Sequence, residues 1–82
     1  MDPVQKKFQQ HALKLQQVIE RPGGNHGEDT AYVGFTHNGV DYTVSVTSNR
    51  KILSASLWKQ KVCQVTVMGK DGILLFGDAP ES

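Results

Sequence analysis

The chain has 82 residues, of which 38% are hydrophobic, and a formal net charge of +1 at pH 7. A chain this short supports one hydrophobic core, so we expect a single domain over residues 1–82. The small net charge argues against attachment to nucleic acid or membrane by bulk charge. No apolar run approaches the roughly 20 residues that span a bilayer, so we expect no membrane partner. The lone cysteine excludes an internal disulfide framework, and we expect a cytoplasmic, reducing location.

The first predicted element is a helix over about residues 3–20. Asp2 before Pro3 is typical of a helix start, because Asp caps free amide groups and proline fits the first turn. His11 lies inside the apolar arc of this helix, and Leu13 lies on its polar side. The apolar residues recur at steps of three and four, which places them on one face: Val4, Phe8, Ala12, Leu15, Val18 and Ile19.

A glycine-rich connector is predicted over residues 21–30, because Arg21-Pro22-Gly23-Gly24 ends the helical pattern. Within it, His26, Glu28 and Asp29 combine imidazole and carboxylate groups that could hold a divalent ion, as in a small enzyme or metal protein. Their spacing lacks the alternation of a calcium loop, and the glycines do not open a helix as in a phosphate-binding loop. A solvated connector is therefore the preferred interpretation, and we expect no metal and no cofactor.

From residue 31 to 77 the hydrophobic period changes to two, which predicts a five-stranded antiparallel meander. Asn38-Gly39 is typical of a type I′ hairpin turn. We place further loops at 48–51, 59–61 and 69–72, and a short polar tail at 78–82. The helix then covers the apolar face of the sheet, and the fold class is α+β. The predicted pairs are Ala31–Val46, Val33–Val44, Phe35–Tyr42, Val46–Leu53, Val44–Ala55, Tyr42–Leu57, Leu57–Cys63, Ala55–Val65, Leu53–Val67, Val67–Leu74 and Val65–Phe76.

These registers place small polar side chains on the other side of the sheet, which we call the outer face. Asp41 is its only predicted charge, whereas a solvated sheet face normally carries several. Such a face suits a protein partner or a second copy of the chain. Alternatively, the sheet curls into a half-barrel and buries its own corners. The residues predicted for a partner or dimer face are Tyr32, Ser45, Ile52, Ser54, Ser56, Trp58, Val62, Gln64, Thr66, Met68 and Leu75.

Residues 50–61 contain four basic side chains and no acid. In one interpretation, Trp58 stacks on a nucleic-acid base or packs in a partner's pocket, while Lys59 and Lys61 contact phosphates or carboxylates. In the other, Trp58 shields the end of a strand and the lysines keep a turn in water. The candidate nucleic-acid contacts are Arg50, Lys51, Trp58, Lys59 and Lys61.

The sequence offers little catalytic chemistry. Cys63 is predicted to face the core opposite Leu57, where a thiol is inert, and His37 is predicted to lie on a hairpin surface. No carboxylate pair, Ser-His-Asp set or nucleotide loop is found, so we expect no enzyme. We expect a small non-catalytic protein-binding module or inhibitor that forms a homodimer, with a small nucleic-acid-binding module as the alternative. Small size and a solitary domain suggest a phage or another mobile element as the source.

Overall fold

The computed structural model describes residues 2–19, 28–49 and 52–76. The strands in these ranges form one antiparallel sheet in the order β1-β2-β3-β4, so the α+β class is confirmed. No helix in the described part of the chain is both long and apolar enough to cross a membrane. The elements are α1 (Pro3–Val18), β1 (Glu28–His37), β2 (Val40–Asn49), β3 (Ile52–Lys59) and β4 (Val62–Lys70).

Helix α1 begins as predicted and ends slightly earlier than predicted. The Asp2 side chain accepts a hydrogen bond from the Val4 amide at 3.4 Å, which is the expected cap. At the other end, the Ile19 backbone is extended, and its amide donates to the Leu15 carbonyl. The helix therefore stops at Val18. The predicted breaker at 21–24 lies outside the described residues.

The β1–β2 hairpin has the predicted register. Ala31 pairs with Val46, Val33 with Val44 and Phe35 with Tyr42. Asn38 and Gly39 have φ values of 52° and 78°, and positive φ at both positions defines a type I′ turn. The paired region begins at Glu28, so the last residues of the predicted connector belong to β1.

The register between β2 and β3 differs from the prediction by two residues. Only residues 50 and 51 separate the two strands, in place of the four-residue loop predicted at 48–51. A shift of two residues keeps every side chain on its face. The side-chain pattern therefore cannot distinguish the two loop lengths, and the apolar residues still share the inner face. The observed pairs include Val44–Leu57, Val46–Ala55, Ser48–Leu53 and Asn49–Ile52.

A β-bulge lies near the start of β4. Trp58 pairs with Cys63 and Leu57 with Val65, so Gln64 is an extra residue without a partner in β3. Such an insertion breaks the strict alternation of side chains along the strand. Cys63 is consequently exposed, and the prediction that it faces the core opposite Leu57 is wrong.

The chain after β4 folds under the sheet and does not extend it. A single bridge pairs Lys70 with Ile73 across the turn at 71–72, and no fifth strand is present within the described residues. The backbone crosses directly against Gly69, where an added Cβ would lie 2.9 Å from the Ile73 carbonyl carbon. Leu74 is thereby carried into the core, with 3% of its surface exposed. The predicted fifth strand is wrong because this apolar segment is buried by packing and not by pairing.

The core lies between α1, the inner face of the sheet and this C-terminal segment. Phe8 of α1 meets Phe76 edge to face, with ring centroids 5.6 Å apart. The Gln16 side-chain amide donates to the Gly72 carbonyl at 2.8 Å, which ties the helix to the turn before the segment. The buried hydrophobic residues are Phe8, Ala12, Val44, Val46, Leu53, Ala55, Leu57 and Leu74.

We predict that Gly69→Ala destabilises the fold by about 1–3 kcal/mol, because the added methyl group forces the Ile73 backbone away from the sheet. Urea unfolding of sub-micromolar protein, followed by Trp58 fluorescence, measures this loss. Gly34→Ala is the matched control. Its added Cβ meets only the Tyr42 carbonyl oxygen at 3.5 Å, an ordinary contact. Equal losses in the two variants would contradict the crossing described above.

Candidate functional site

The outer face of the sheet points away from α1 and the core. Among its described side chains, only Asp41 and Lys70 are charged, and they lie near opposite ends of the sheet. Lys70 was not expected there; it joins the face because β4 continues to that residue. Strand alternation and register place the following residues on this face: Thr30, Tyr32, Gly34, Thr36, Asp41, Thr43, Ser45, Thr47, Ile52, Ser54, Ser56, Trp58, Cys63, Thr66, Met68 and Lys70.

Many polar groups of the outer face are bonded to one another. Three contacts join neighbouring strands, and a fourth lies within β4. A hydroxyl group that already has a partner loses less when a surface covers it. The contacts are Thr30 Oγ1 with Thr47 Oγ1 at 3.2 Å, Thr36 Oγ1 with Asp41 Oδ1 at 2.9 Å, Ser56 Oγ with Thr66 Oγ1 at 3.4 Å, and Cys63 Sγ with Thr66 Oγ1 at 3.3 Å.

Trp58 lies across the sheet and does not project from the end of its strand. Its indole Nε1 donates a hydrogen bond to Ser45 Oγ on β2 at 3.1 Å. Thr43 is the residue directly opposite Trp58, so the indole reaches diagonally over β2. The side chain is half-buried. Trp58 therefore covers part of the sheet and still presents a surface to solvent.

Exposed apolar side chains surround the hydroxyl-rich centre of the outer face. Tyr32 is 72% exposed, Met68 62% and Ile52 49%. Three residues predicted for this face are not among those that the register places there. Gln64 is the extra residue of the bulge and has no partner in β3. Val62 pairs with Lys59, one position beyond Trp58, where the alternation turns side chains to the inner side. Leu75 lies in the segment that follows β4.

The predicted basic residues do not gather around Trp58. Lys59 pairs with Tyr42, whose ring stacks on Phe35 of the inner face at 5.2 Å. Successive strand residues point to opposite faces, so Lys59 and Trp58 lie on different sides of the sheet. Lys61 is exposed in the turn before β4. Arg50 and Lys51 lie outside the described residues.

The predicted metal-binding group is only partly visible. His26 and the side chain of Glu28 lie outside the described residues, while Asp29 belongs to β1 and pairs with Ser48. Within the described ranges, no group of three or more His, Cys, Asp or Glu side chains could hold a metal ion. His11 stacks on the Phe35 ring at 5.3 Å, which is a packing contact between helix and sheet.

No protein-family model, curated protein sequence or solved structure matches the chain significantly. The chemistry of the outer face is therefore argued from its own side chains.

We predict that Cys63 reacts with a thiol reagent in the native protein nearly as fast as in the unfolded chain, because the bulge leaves it exposed. Reaction with Ellman's reagent, with and without urea, measures the two rates. Cys63→Ser provides the blank. Strong protection of the native thiol would show that the alternation continues through Gln64 and that no bulge forms.

Proposed function

We propose that the chain is a small non-catalytic module that binds a protein partner through the outer face of its sheet and acts as a homodimer. The main support is the combination of a charge-free centre with hydroxyl groups that are bonded to one another. Such a module acts by occupying a surface of its partner, and inhibition is one consequence of that mode of action.

The cost of covering this face is low for a polar surface. Burying an unpaired hydroxyl group costs free energy, but Ser56 and Thr66 already contact each other, and Ser45 accepts from Trp58. Burying an unpaired charge costs far more. Asp41 and Lys70 lie near the ends of the face, where a partner can leave them in water.

The side chains that favour a protein partner are those common in the centres of protein interfaces. Tyr, Trp and Met are enriched there, while Lys, Glu and Asp are depleted. Tyr32, Trp58 and Met68 lie on three different strands of the outer face. The indole of Trp58 is already held by Ser45, so little side-chain freedom is lost when a partner packs against it.

The size of the face is also suitable. Four strands about 4.8 Å apart and about nine residues long give a flat area of about 20 × 30 Å, or about 600 Å². A standard specific interface buries about 800 Å² on each partner. One copy therefore offers somewhat less than a standard interface, and two adjoining copies would exceed it.

The position of Lys59 favours a protein partner over nucleic acid. A stacking site for single-stranded nucleic acid combines aromatic rings with basic groups along the same groove. Trp58 and Lys59 lie on opposite faces, and Lys70 is the only described basic side chain of the outer face.

We predict that Ser54→Arg and Thr66→Arg each weaken partner binding by at least about tenfold, or about 1.4 kcal/mol, because each places a charge in the centre of the face. The wild-type protein serves as bait in affinity purification, and calorimetry with the purified partner gives the dissociation constants. Circular dichroism checks that each variant is folded.

Leu13→Arg is the control, since Leu13 is exposed on the helix, away from the outer face. Unchanged binding by both face variants would refute the proposal. Copurified nucleic acid that is lost in a Lys59→Glu, Lys61→Glu double variant would establish the nucleic-acid-binding alternative instead.

A further inference from the structure

Strand β1 is an open edge of the sheet. Among the described strands it has a neighbour, β2, on one side only. Natural edge strands are usually protected by charged side chains, especially lysine, by proline, by bulges or by short length. Strand β1 has ten residues, contains no lysine or proline, and pairs with β2 without a register shift. Its acidic residues are confined to its first two positions, Glu28 and Asp29, so the middle of the strand carries no charge. The opposite edge, β4, contains the bulge at Gln64 and ends at Lys70.

The hairpin turn determines which backbone groups of β1 face the open side. In a type I′ turn, the Val40 amide bonds to the His37 carbonyl. His37 and every second residue before it therefore direct their backbone groups toward β2. The intervening residues, Thr30, Tyr32, Gly34 and Thr36, direct their N–H and C=O groups to the open edge.

Within the described residues, no contact near Gly34 requires glycine at this position. Glycine weakens the interior of a strand. The backbone of Gly34 does not adopt positive φ, and an added Cβ would make only an ordinary contact of 3.5 Å with the Tyr42 carbonyl oxygen. Glycine in a strand often marks a place where another group approaches closely. The open edge next to Gly34 is where such a group can approach.

We propose that two copies of the chain pair antiparallel through their β1 edges, about a twofold axis at Val33. Each sheet has four strands, so the pair forms one continuous sheet of eight. In this register, Tyr32 lies opposite the partner's Gly34, Thr30 opposite the partner's Thr36, and Val33 opposite the partner's Val33.

The chemistry of the strand is self-complementary in this register. The aromatic ring of Tyr32, now 72% exposed, covers the partner's Gly34, a cross-strand arrangement that compensates for glycine at an edge. Thr–Thr neighbours stabilise paired strands. On the inner side, small Ala31 lies opposite the partner's Phe35, and Asp29 lies opposite the partner's His37, an acid beside a basic side chain.

Neighbouring registers are less complementary. An odd shift would mix the inner and outer faces, so only shifts of two residues need comparison. Pairing centred on Tyr32 places the Asp29 carboxylate opposite the partner's Phe35. Pairing centred on Gly34 places Tyr32 opposite the partner's Thr36 and leaves Asp29 beyond the paired region. Both remove the match between Tyr32 and glycine.

The helices of the two copies would lie side by side in this arrangement, with Lys7 and His11 of each helix over Phe35 of the strand that forms the seam. Helix α1 packs mainly on β2 and β1, so its axis lies near the seam between them. With strands about 4.8 Å apart, the two helix axes in the pair lie about 10 Å apart, an ordinary packing distance. The outer faces of the two copies adjoin, with a combined flat area of about 1,200 Å².

Light scattering after size exclusion tests the pairing. The wild-type protein should have the mass of a dimer, and Gly34→Pro should weaken dimerisation by more than about tenfold, because it removes the N–H group that Gly34 directs to the partner strand. This N–H group has no partner among the described strands of one copy, and circular dichroism checks that the variant is folded. Met68→Thr, on the other edge strand, should remain a dimer. A monomeric wild-type protein, or a dimeric and folded Gly34→Pro, would overturn the proposal.

Disulfide trapping tests the register. In a Cys63→Ser background, Val33→Cys should form a linked dimer on mild oxidation, because non-hydrogen-bonded partners across the axis have Cα atoms about 4.5 Å apart. Tyr32→Cys is more exposed but should not form one, since its two copies lie about 8 Å apart. Linkage of Tyr32→Cys, or of neither variant, would overturn the register.

This pairing rests on the proposed function, for which it provides the contact between the two copies. Edge pairing and partner binding can nevertheless be tested separately. Ser54→Arg and Thr66→Arg probe the outer face and should leave the dimer mass unchanged. Loss of the dimer in Gly34→Pro with retained partner binding would separate the edge from the binding face.

Discussion

The contact between Phe8 and Phe76 closes the core. One helix is too narrow to cover four strands, and α1 packs mainly on β1 and β2. The segment after β4 adds Leu74 and Phe76 to the core. The two aromatic rings meet edge to face at 5.6 Å, which joins the two covering elements into one layer. The reversal of the chain at Gly69 is what brings the second element into position.

This layer covers only the inner side of the sheet. The side chains of the outer face therefore do not belong to the hydrophobic core. Its hydroxyl groups bond to one another, and its Trp58 bonds to Ser45, so the face is ordered without being buried. A surface of this kind differs from an ordinary solvated sheet face, which carries many charges and few fixed side chains. Among the described strands, β1 pairs only with β2, so its free edge adjoins that face.

The two glycines within strands differ in what surrounds them. At Gly69, a side chain would collide with the backbone of the same chain. At Gly34, the described residues leave ordinary space for a side chain. In the proposed dimer, Tyr32 of the other copy would cover this glycine across the twofold axis. Dimerisation and partner binding would then use adjoining parts of one sheet.

The sequence alone determined the helix, the β1–β2 hairpin with its register, and the division of most strand residues between inner and outer faces. Those features follow from local capping, turn chemistry and periodicity, which act over a few residues. The outer positions of Tyr32, Ser54 and Met68 also follow from alternation. The length of the loop at 50–51 could not be predicted from alternation, because shifting a strand by two residues leaves the alternation unchanged.

Only the tertiary structure decided the bulge at Gln64, the exposure of Cys63 and the course of the chain after β4. A bulge breaks the alternation from which it would have to be recognised. The segment containing Leu74 and Phe76 has apolar residues at every second position. This pattern is found both in a strand and in an extended segment that packs beneath a sheet. Which of the two occurs depends on the unfilled space beside α1, and that space exists only once the helix and sheet have come together.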